Sequence, residues 1–152
     1  MRIILCFLLV IITTIIPSCL FCENIACDQI PPDGHFIIVS ATTGQDLVFG
    51  QNSIYDKNKF KFYSLSATDT TFFEYQIEEA VDSLFESSLD VLFVPLPKVA
   101  YMELSDGDID TLDISSRTSE NRCCGTSTVI TNFRYNNSVD IPADTGYQVI
   151  MK

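Results

Sequence analysis

The densest cluster of acidic residues in the sequence is the stretch SDGDIDTLD. Asp106, Asp108 and Asp110 alternate there as the first ligands of a calcium-binding loop do. The EF-hand pattern then fails, because Thr111 stands where the turn glycine belongs and Arg117 where the bidentate glutamate belongs. The stretch leaves two alternatives, a calcium site or a strand face turned to solvent, and we predict that no metal is bound.

His35 is the single histidine of the chain, which excludes clusters of histidine metal ligands. A Ser–His–Asp triad would have to use this residue, which stands at the start of an apolar run. The sequence contains neither a G-x-S-x-G nucleophile elbow nor a glycine-rich phosphate loop. We therefore predict a protein that is not an enzyme, with no catalytic residue and no cofactor. A small hydrolase that uses paired carboxylates is the enzymatic alternative.

The cysteines supply the most distinctive chemistry of the chain. Cys123 and Cys124 are adjacent and are hard to join to each other, because the ring they would close is strained. We expect them to reach Cys22 and Cys27, with three connectivities open. Such bonds would close loops of about 100 residues and stabilise the fold by up to roughly 4–5 kcal/mol. A zinc site is the alternative, and the C-x₄-C and C-C spacings suit it poorly.

The amino-terminal residues have the pattern of an export signal. Arg2 precedes the run IILCFLLVIITTII, which is apolar except for two threonines. Pro17 interrupts this run before it reaches the roughly 20 residues that a membrane-spanning helix needs. We interpret residues 1–18 as a lipoprotein signal peptide that is removed from the mature chain.

Cys19 is predicted to carry the lipid. Ile16 and Ser18 fit the box that lipoprotein signal peptidase recognises before its cysteine, and Pro17 departs from it. The number of cysteines agrees, because removal of Cys6 and acylation of Cys19 leave four, an even set for disulfides in an oxidising compartment. The alternative is a secreted soluble protein in which Cys19 is a surplus thiol.

The charge of the chain limits its partners. It has 20 acidic against 9 basic residues, a formal net charge of −11. Such a surface repels nucleic acid and anionic lipid headgroups. We therefore expect no nucleic-acid partner, and membrane attachment only through the amino-terminal lipid.

The remaining sequence is predicted to be mainly β. Residues 19–34 contain two prolines and little apolar periodicity, as expected of a tether that carries cysteines. From His35 onward about nine short β-branched or alternating runs follow one another, separated by turn residues such as Asp106-Gly107. We predict a single antiparallel β-sandwich domain, Ig-like or related, over residues 35–152. Its strand runs are 35–41, 46–50, 59–65, 71–78, 90–96, 99–104, 109–115, 126–136 and 146–151.

One segment also fits a helix. In QIEEAVDSLFES the apolar residues follow the i, i+3, i+4, i+7, i+8 spacing of an amphipathic helix. The residues concerned are Ile77, Ala80, Val81, Leu84 and Phe85. A short helix around 77–86 and a strand, loop, strand arrangement remain equal alternatives.

Three features together resemble small uncharacterised lipoproteins of Bacteroidota-type cell envelopes. These features are the leader, the stretch DGDIDTLDI and the stretch CCGT…ITNFRYNN, which cover about a third of the chain. The resemblance implies export and anchoring to the outer membrane, on either the periplasmic or the cell-surface face. It implies no particular activity.

These observations favour a lipid-anchored envelope protein with a structural, binding or accessory role and an envelope protein or glycan as partner. A more specific hypothesis is a surface module that binds glycans or peptides, which would need exposed aromatic side chains on one face. Tyrosines at positions 63, 75, 101, 135 and 147 are the candidates, since the chain has no tryptophan.

Overall fold

The computed structural model describes residues 22, 27, 31–79 and 87–152. The predicted signal peptide, Cys19 and most of the predicted tether lie outside these residues. Two compact units are present, one of residues 1–29 and 119–127 and the other of residues 30–118 and 128–152. The larger unit contains both β-sheets and the hydrophobic core.

Ten strands make up the described fold. They are β1 (Asp33–Val39), β2 (Lys61–Leu65), β3 (Thr70–Phe73), β4 (Tyr75–Glu78), β5 (Ser88–Leu92), β6 (Val99–Ser105), β7 (Asp108–Asn121), β8 (Gly125–Tyr135), β9 (Val139–Pro142) and β10 (Gln148–Met151). A four-stranded sheet has the order β10-β1-β5-β4, and a six-stranded sheet has the order β3-β2-β6-β7-β8-β9. The prediction of a mainly β, sandwich-like fold is confirmed.

Of the strand pairs whose register the structure describes, all but one are antiparallel. β1 pairs antiparallel with β5 and parallel with β10. Short hairpins join the neighbouring strands of the six-stranded sheet, except β2 and β6, which are far apart in the chain. The predicted Asp-Gly turn joins β6 to β7 with Gly107 at φ +80°, a value that glycine adopts without a steric penalty. Among the described residues, no helix is long and apolar enough to cross a membrane.

Aromatic side chains fill the centre of the core. Phe36, Phe93 and Phe133 are fully buried and meet edge-on or tilted, with ring centroids 5.1–6.4 Å apart. Gly34 lies directly against this group, because a Cβ at that position would stand 2.7 Å from the Phe36 ring and 3.0 Å from that of Phe133. The start of β1 therefore tolerates only glycine if these rings keep their places.

Two sequence predictions about individual elements need correction, and a third is tested only at its start. The predicted strand 46–50 is a turn with one isolated bridge, because Asp46 Oδ1 accepts hydrogen bonds from the amides of Val48 and Phe49 and bends the chain. The predicted strand 71–78 is divided at Glu74 into β3 and β4, which belong to different sheets. Of the predicted helix 77–86, residues 77 and 78 are in β4, and residues 80–86 lie outside the described residues.

The smaller unit contains two disulfides. Cys22 bonds Cys123, and Cys27 bonds Cys124, over sequence separations of 101 and 97 residues. The adjacent cysteines occupy the turn between β7 and β8, where the Asn121 side chain accepts hydrogen bonds from both of their amides. All four predicted disulfide cysteines are therefore paired, with one connectivity of the three that sequence left open.

Candidate functional site

Three aromatic side chains form a row across the outer face of the six-stranded sheet. Tyr63 on β2 is in register with Phe72 on β3 and with Tyr101 on β6. Their neighbours Phe62, Phe73 and Met102 are buried in the core. Because side chains alternate along a strand, the three rings of the aromatic row point away from the core.

The rings of the aromatic row contact one another; Phe72 is exposed, and Tyr63 and Tyr101 are half-buried. Tyr63 and Tyr101 are stacked, with centroids 5.3 Å apart and planes inclined by 16°, and Phe72 lies 5.8 Å from Tyr63. The Phe72 side chain is 64% exposed. Within the described part of the chain, neither phenol hydroxyl has a hydrogen-bond partner. The row therefore offers apolar ring surface together with two free hydroxyl groups.

An ion pair borders the aromatic row. Lys61 Nζ lies 3.1 Å from Glu103 Oε1, two residues along the same strands β2 and β6 from the Tyr63–Tyr101 pair. On the other side of Tyr101, in the same register, stands Thr111 of β7. Hydroxyl, ammonium and carboxylate groups thus surround the rings. Such a combination suits a ligand that has both an apolar face and many hydroxyl groups.

The predicted carboxylate cluster binds a lysine of the chain itself. Lys152 Nζ lies 2.6 Å from Asp108 Oδ1 and also contacts Asp110 Oδ2. The Tyr55 hydroxyl donates to Asp108 at 2.8 Å, and the Asn136 side chain donates to Asp110 at 2.8 Å. The aspartates are thereby occupied, while Asp106 lies exposed in the β6–β7 turn.

This cluster is also unsuited to acid catalysis. Burial would raise the pKa of Asp108, but hydrogen bonds from Lys152 and Tyr55 outweigh it, and the pKa lies below its usual range. A carboxyl group with a lowered pKa is ionised at neutral pH and has no proton to give. In residues 22, 27, 31–79 and 87–152, no three His, Cys, Asp or Glu side chains are arranged to hold a metal ion.

His35 lies on the outer face of the four-stranded sheet. Its Nδ1 is 2.9 Å from Asp90 Oδ1, and its Nε2 is 3.7 Å from Asp33 Oδ2. The hydroxyl of buried Ser88 donates to the same Asp90 oxygen at 2.8 Å. Serine and histidine thus share one carboxylate and do not bond each other, which is not the order of a catalytic triad.

The other candidate tyrosines are not part of the row. Tyr75 and Tyr135 pack against the core, and Tyr147 lines a groove beside β10. The row contains Phe72, which the sequence interpretation missed. Its signal was the pair Phe72-Phe73, since adjacent strand residues point to opposite faces and one of the two must therefore face away from the core.

Comparison with known proteins identifies no relative: no protein-family model, no curated protein and no solved structure matches the chain.

Proposed function

We propose that this protein is an exported binding module of the cell envelope, anchored through a lipid on Cys19, whose aromatic row binds a glycan chain. The role is non-catalytic. The exposed ring of Phe72 and the half-buried rings of Tyr63 and Tyr101 carry the proposal. An aromatic face is electron-rich, and it attracts the polarised C–H groups on the apolar face of a sugar ring.

The charge of the chain favours an uncharged glycan. With a formal net charge of −11, the surface repels carboxylated or sulfated polymers. The Lys61–Glu103 pair beside the row is internally neutral and offers both donors and acceptors to sugar hydroxyls. A neutral polysaccharide is therefore the expected ligand class.

Replacing Phe72 or Tyr63 by alanine is expected to weaken glycan binding about tenfold or more, the effect of losing an aromatic anchor from a binding surface. Affinity electrophoresis in gels that contain neutral or anionic polysaccharides measures this directly. Ile54→Ala is the matched control, because Ile54 is 69% exposed and lies outside the strands that carry the row. Retardation by no neutral polysaccharide, or equal retardation of Phe72→Ala and the parent protein, would refute the proposal.

The location is tested independently by the intact mass of the protein taken from its native membranes. We expect a chain that begins at Cys19 and carries a diacylglycerol lipid. Reduction should add about four hydrogens, two for each disulfide. Both bonds are compatible with an oxidising compartment. A mass without lipid, or a chain that begins elsewhere, would leave a secreted protein with a free Cys19.

A further inference from the structure

The two disulfides determine where the amino-terminal chain is joined to the β7–β8 hairpin. Cys22 and Cys27 bond the adjacent residues Cys123 and Cys124, in the turn at the end of this hairpin. Residues 119–127, the hairpin tip, belong to the same compact unit as the two amino-terminal cysteines. Cys22 comes only three residues after Cys19, the proposed site of the lipid. The shortest covalent connection from the proposed anchor to the fold therefore ends at the hairpin tip.

The length of this connection limits the distance between the anchor and the tip. A fully extended chain advances at most about 3.6 Å per residue, so the three residues from Cys19 to Cys22 span at most about 11 Å. The Cα atoms of Cys22 and Cys123 are 5.4 Å apart. Cys123 therefore stays within about 16 Å of the residue that bears the lipid, whatever path the intervening chain takes.

Without the disulfides the chain would impose no such limit. The strand β1 begins at Asp33, fourteen residues after Cys19, and a chain of that length can extend to about 50 Å. The headgroup layer on each side of a bilayer is only about 5–8 Å thick. The Cys22–Cys123 bond therefore replaces a long tether by a short one, which keeps the hairpin tip close to the headgroups.

The surface of the hairpin tip suits phospholipid headgroups. All residues of the tip except the two half-buried cysteines are exposed. Arg122 balances Glu120, so the tip has no net charge, although the whole chain has a formal net charge of −11. Headgroup phosphates can accept hydrogen bonds from the Arg122 guanidinium and from hydroxyl and amide groups. Such groups are carried by Ser119, Asn121, Thr126 and Ser127.

We propose that the hairpin tip lies against the phospholipid headgroups of the membrane, held there by the Cys22–Cys123 disulfide. This inference rests on the proposed lipid at Cys19. The two disulfides then differ in what they do, although they close the same long loop. Cys27 comes eight residues after Cys19, so the Cys27–Cys124 bond alone would let the tip move to about 34 Å from the lipid-bearing residue. Only the Cys22–Cys123 bond is short enough to keep the tip at the bilayer surface.

Fluorescence quenching tests this proposal, because the chain has no tryptophan and Thr126→Trp places a single one at an exposed position of the tip. The full lipidated chain is extracted from the membranes in which it is made. It is then reconstituted, with both disulfides intact, into phosphatidylcholine vesicles whose headgroups carry a nitroxide, a quencher of short range. We expect the tryptophan emission to fall severalfold relative to vesicles without nitroxide.

Two further variants of the Thr126→Trp protein form a matched pair, because each lacks one disulfide and keeps the other. Serine replacement of Cys27 and Cys124 leaves the three-residue connection, and its tryptophan should be quenched as strongly as that of the parent. Serine replacement of Cys22 and Cys123 lengthens the connection to eight residues, and most of the quenching should be lost. Both variants are compared at a temperature at which thermal melts show them folded.

Flotation of the vesicles in a density gradient separates a failure of the anchor from a failure of this inference. A protein that does not float with the vesicles lacks the lipid, and the proposed anchor and the inference are then both wrong. A protein that floats with its tip unquenched, or equal quenching in the two single-disulfide variants, would overturn the inference alone. None of these outcomes depends on the aromatic row or on its binding of a glycan.

Discussion

Replacing Lys152 by alanine is expected to lower the free energy of unfolding by about 3 kcal/mol, the lower end of the range for breaking a buried ion pair. The loss arises because the variant leaves two carboxylates, Asp108 and Asp110, without their cation. Asp110 is 6% exposed, so water can solvate its charge only poorly. Tyr55 and Asn136 would keep donating to these carboxylates, but neutral donors do not cancel a charge.

The cluster of Lys152, Asp108 and Asp110 should also affect how stability depends on pH. Burial would lower the pKa of Lys152, but hydrogen bonds to Asp108 and Asp110 outweigh it and raise the pKa above its usual 10.5. Burial, assisted by nearby aspartates, also raises the pKa of Tyr55 and Tyr135 above 10.0. Groups with raised pKa values bind more protons in the folded state, so stability falls as pH rises above about 10.

Urea unfolding followed by tyrosine fluorescence measures the effect of Lys152→Ala, because the chain has six tyrosines and no tryptophan. Lys61→Ala is the control, since it breaks the more exposed pair with Glu103 and should cost less than about 1 kcal/mol. Lys152→Arg, which keeps the charge, should recover part of the loss. Equal stability of the Lys152→Ala and Lys61→Ala proteins would show that the buried cluster does not stabilise the fold.

Local alternation predicted much of the sheet structure. In KFKFYSL the alternation puts Phe60 and Phe62 on one side and Tyr63 and Leu65 on the other; Phe60 and Phe62 are buried, and Leu65 is exposed. Alternation reports which face a residue occupies, but not which sheet a strand joins. The alternating pattern continues without a break across Glu74, and it therefore predicts one strand over 71–78. At Glu74, however, the chain passes from the six-stranded to the four-stranded sheet, and both Phe73 and Tyr75 pack inward.

The strand β9 shows a signal that was present and overlooked. Asn136 and Asn137 have φ values of +46° and +57°, as a tight hairpin turn requires, and asparagine adopts this conformation more readily than most residues. The Asn-Asn pair after the long run of β8 was therefore a hairpin signal. The next strand, VDIP, is short and ends in proline, which is acceptable at a sheet edge.

Contacts between residues far apart in the chain could not be predicted from the sequence. The ammonium of Lys152 meets Asp108 and Asp110, which are 44 and 42 residues away. Nothing near Lys152 in sequence indicates that it has a partner. The same holds for the aromatic row, because the register that aligns Tyr63 with Tyr101 is set by strand pairing and not by any local pattern.

Removing both disulfides is expected to lower the free energy of unfolding by roughly 7 kcal/mol in the chain-entropy account. The first bond formed closes a loop of about 100 residues and contributes roughly 4.7 kcal/mol. The second then closes a ring of only about eight residues, Cys22 to Cys27 together with Cys123 and Cys124, and contributes roughly 2.5 kcal/mol. Typical domains are stable by about 5–15 kcal/mol, so the doubly deleted protein should be close to unfolding.

Because both disulfides close the same long loop, the stability costs of removing them should not add. Either disulfide alone keeps the long loop closed, so serine replacement of one bonded pair, Cys22 with Cys123 or Cys27 with Cys124, should cost only the small-ring contribution of roughly 2.5 kcal/mol. Replacing all four should cost far more than twice that amount if loop closure dominates. Urea unfolding of the parent, the two single-disulfide variants and the variant without either disulfide tests whether the stability costs add. Costs that simply add would mean that each bond stabilises through its own local contacts, and the shared loop would then not be the source of the stability.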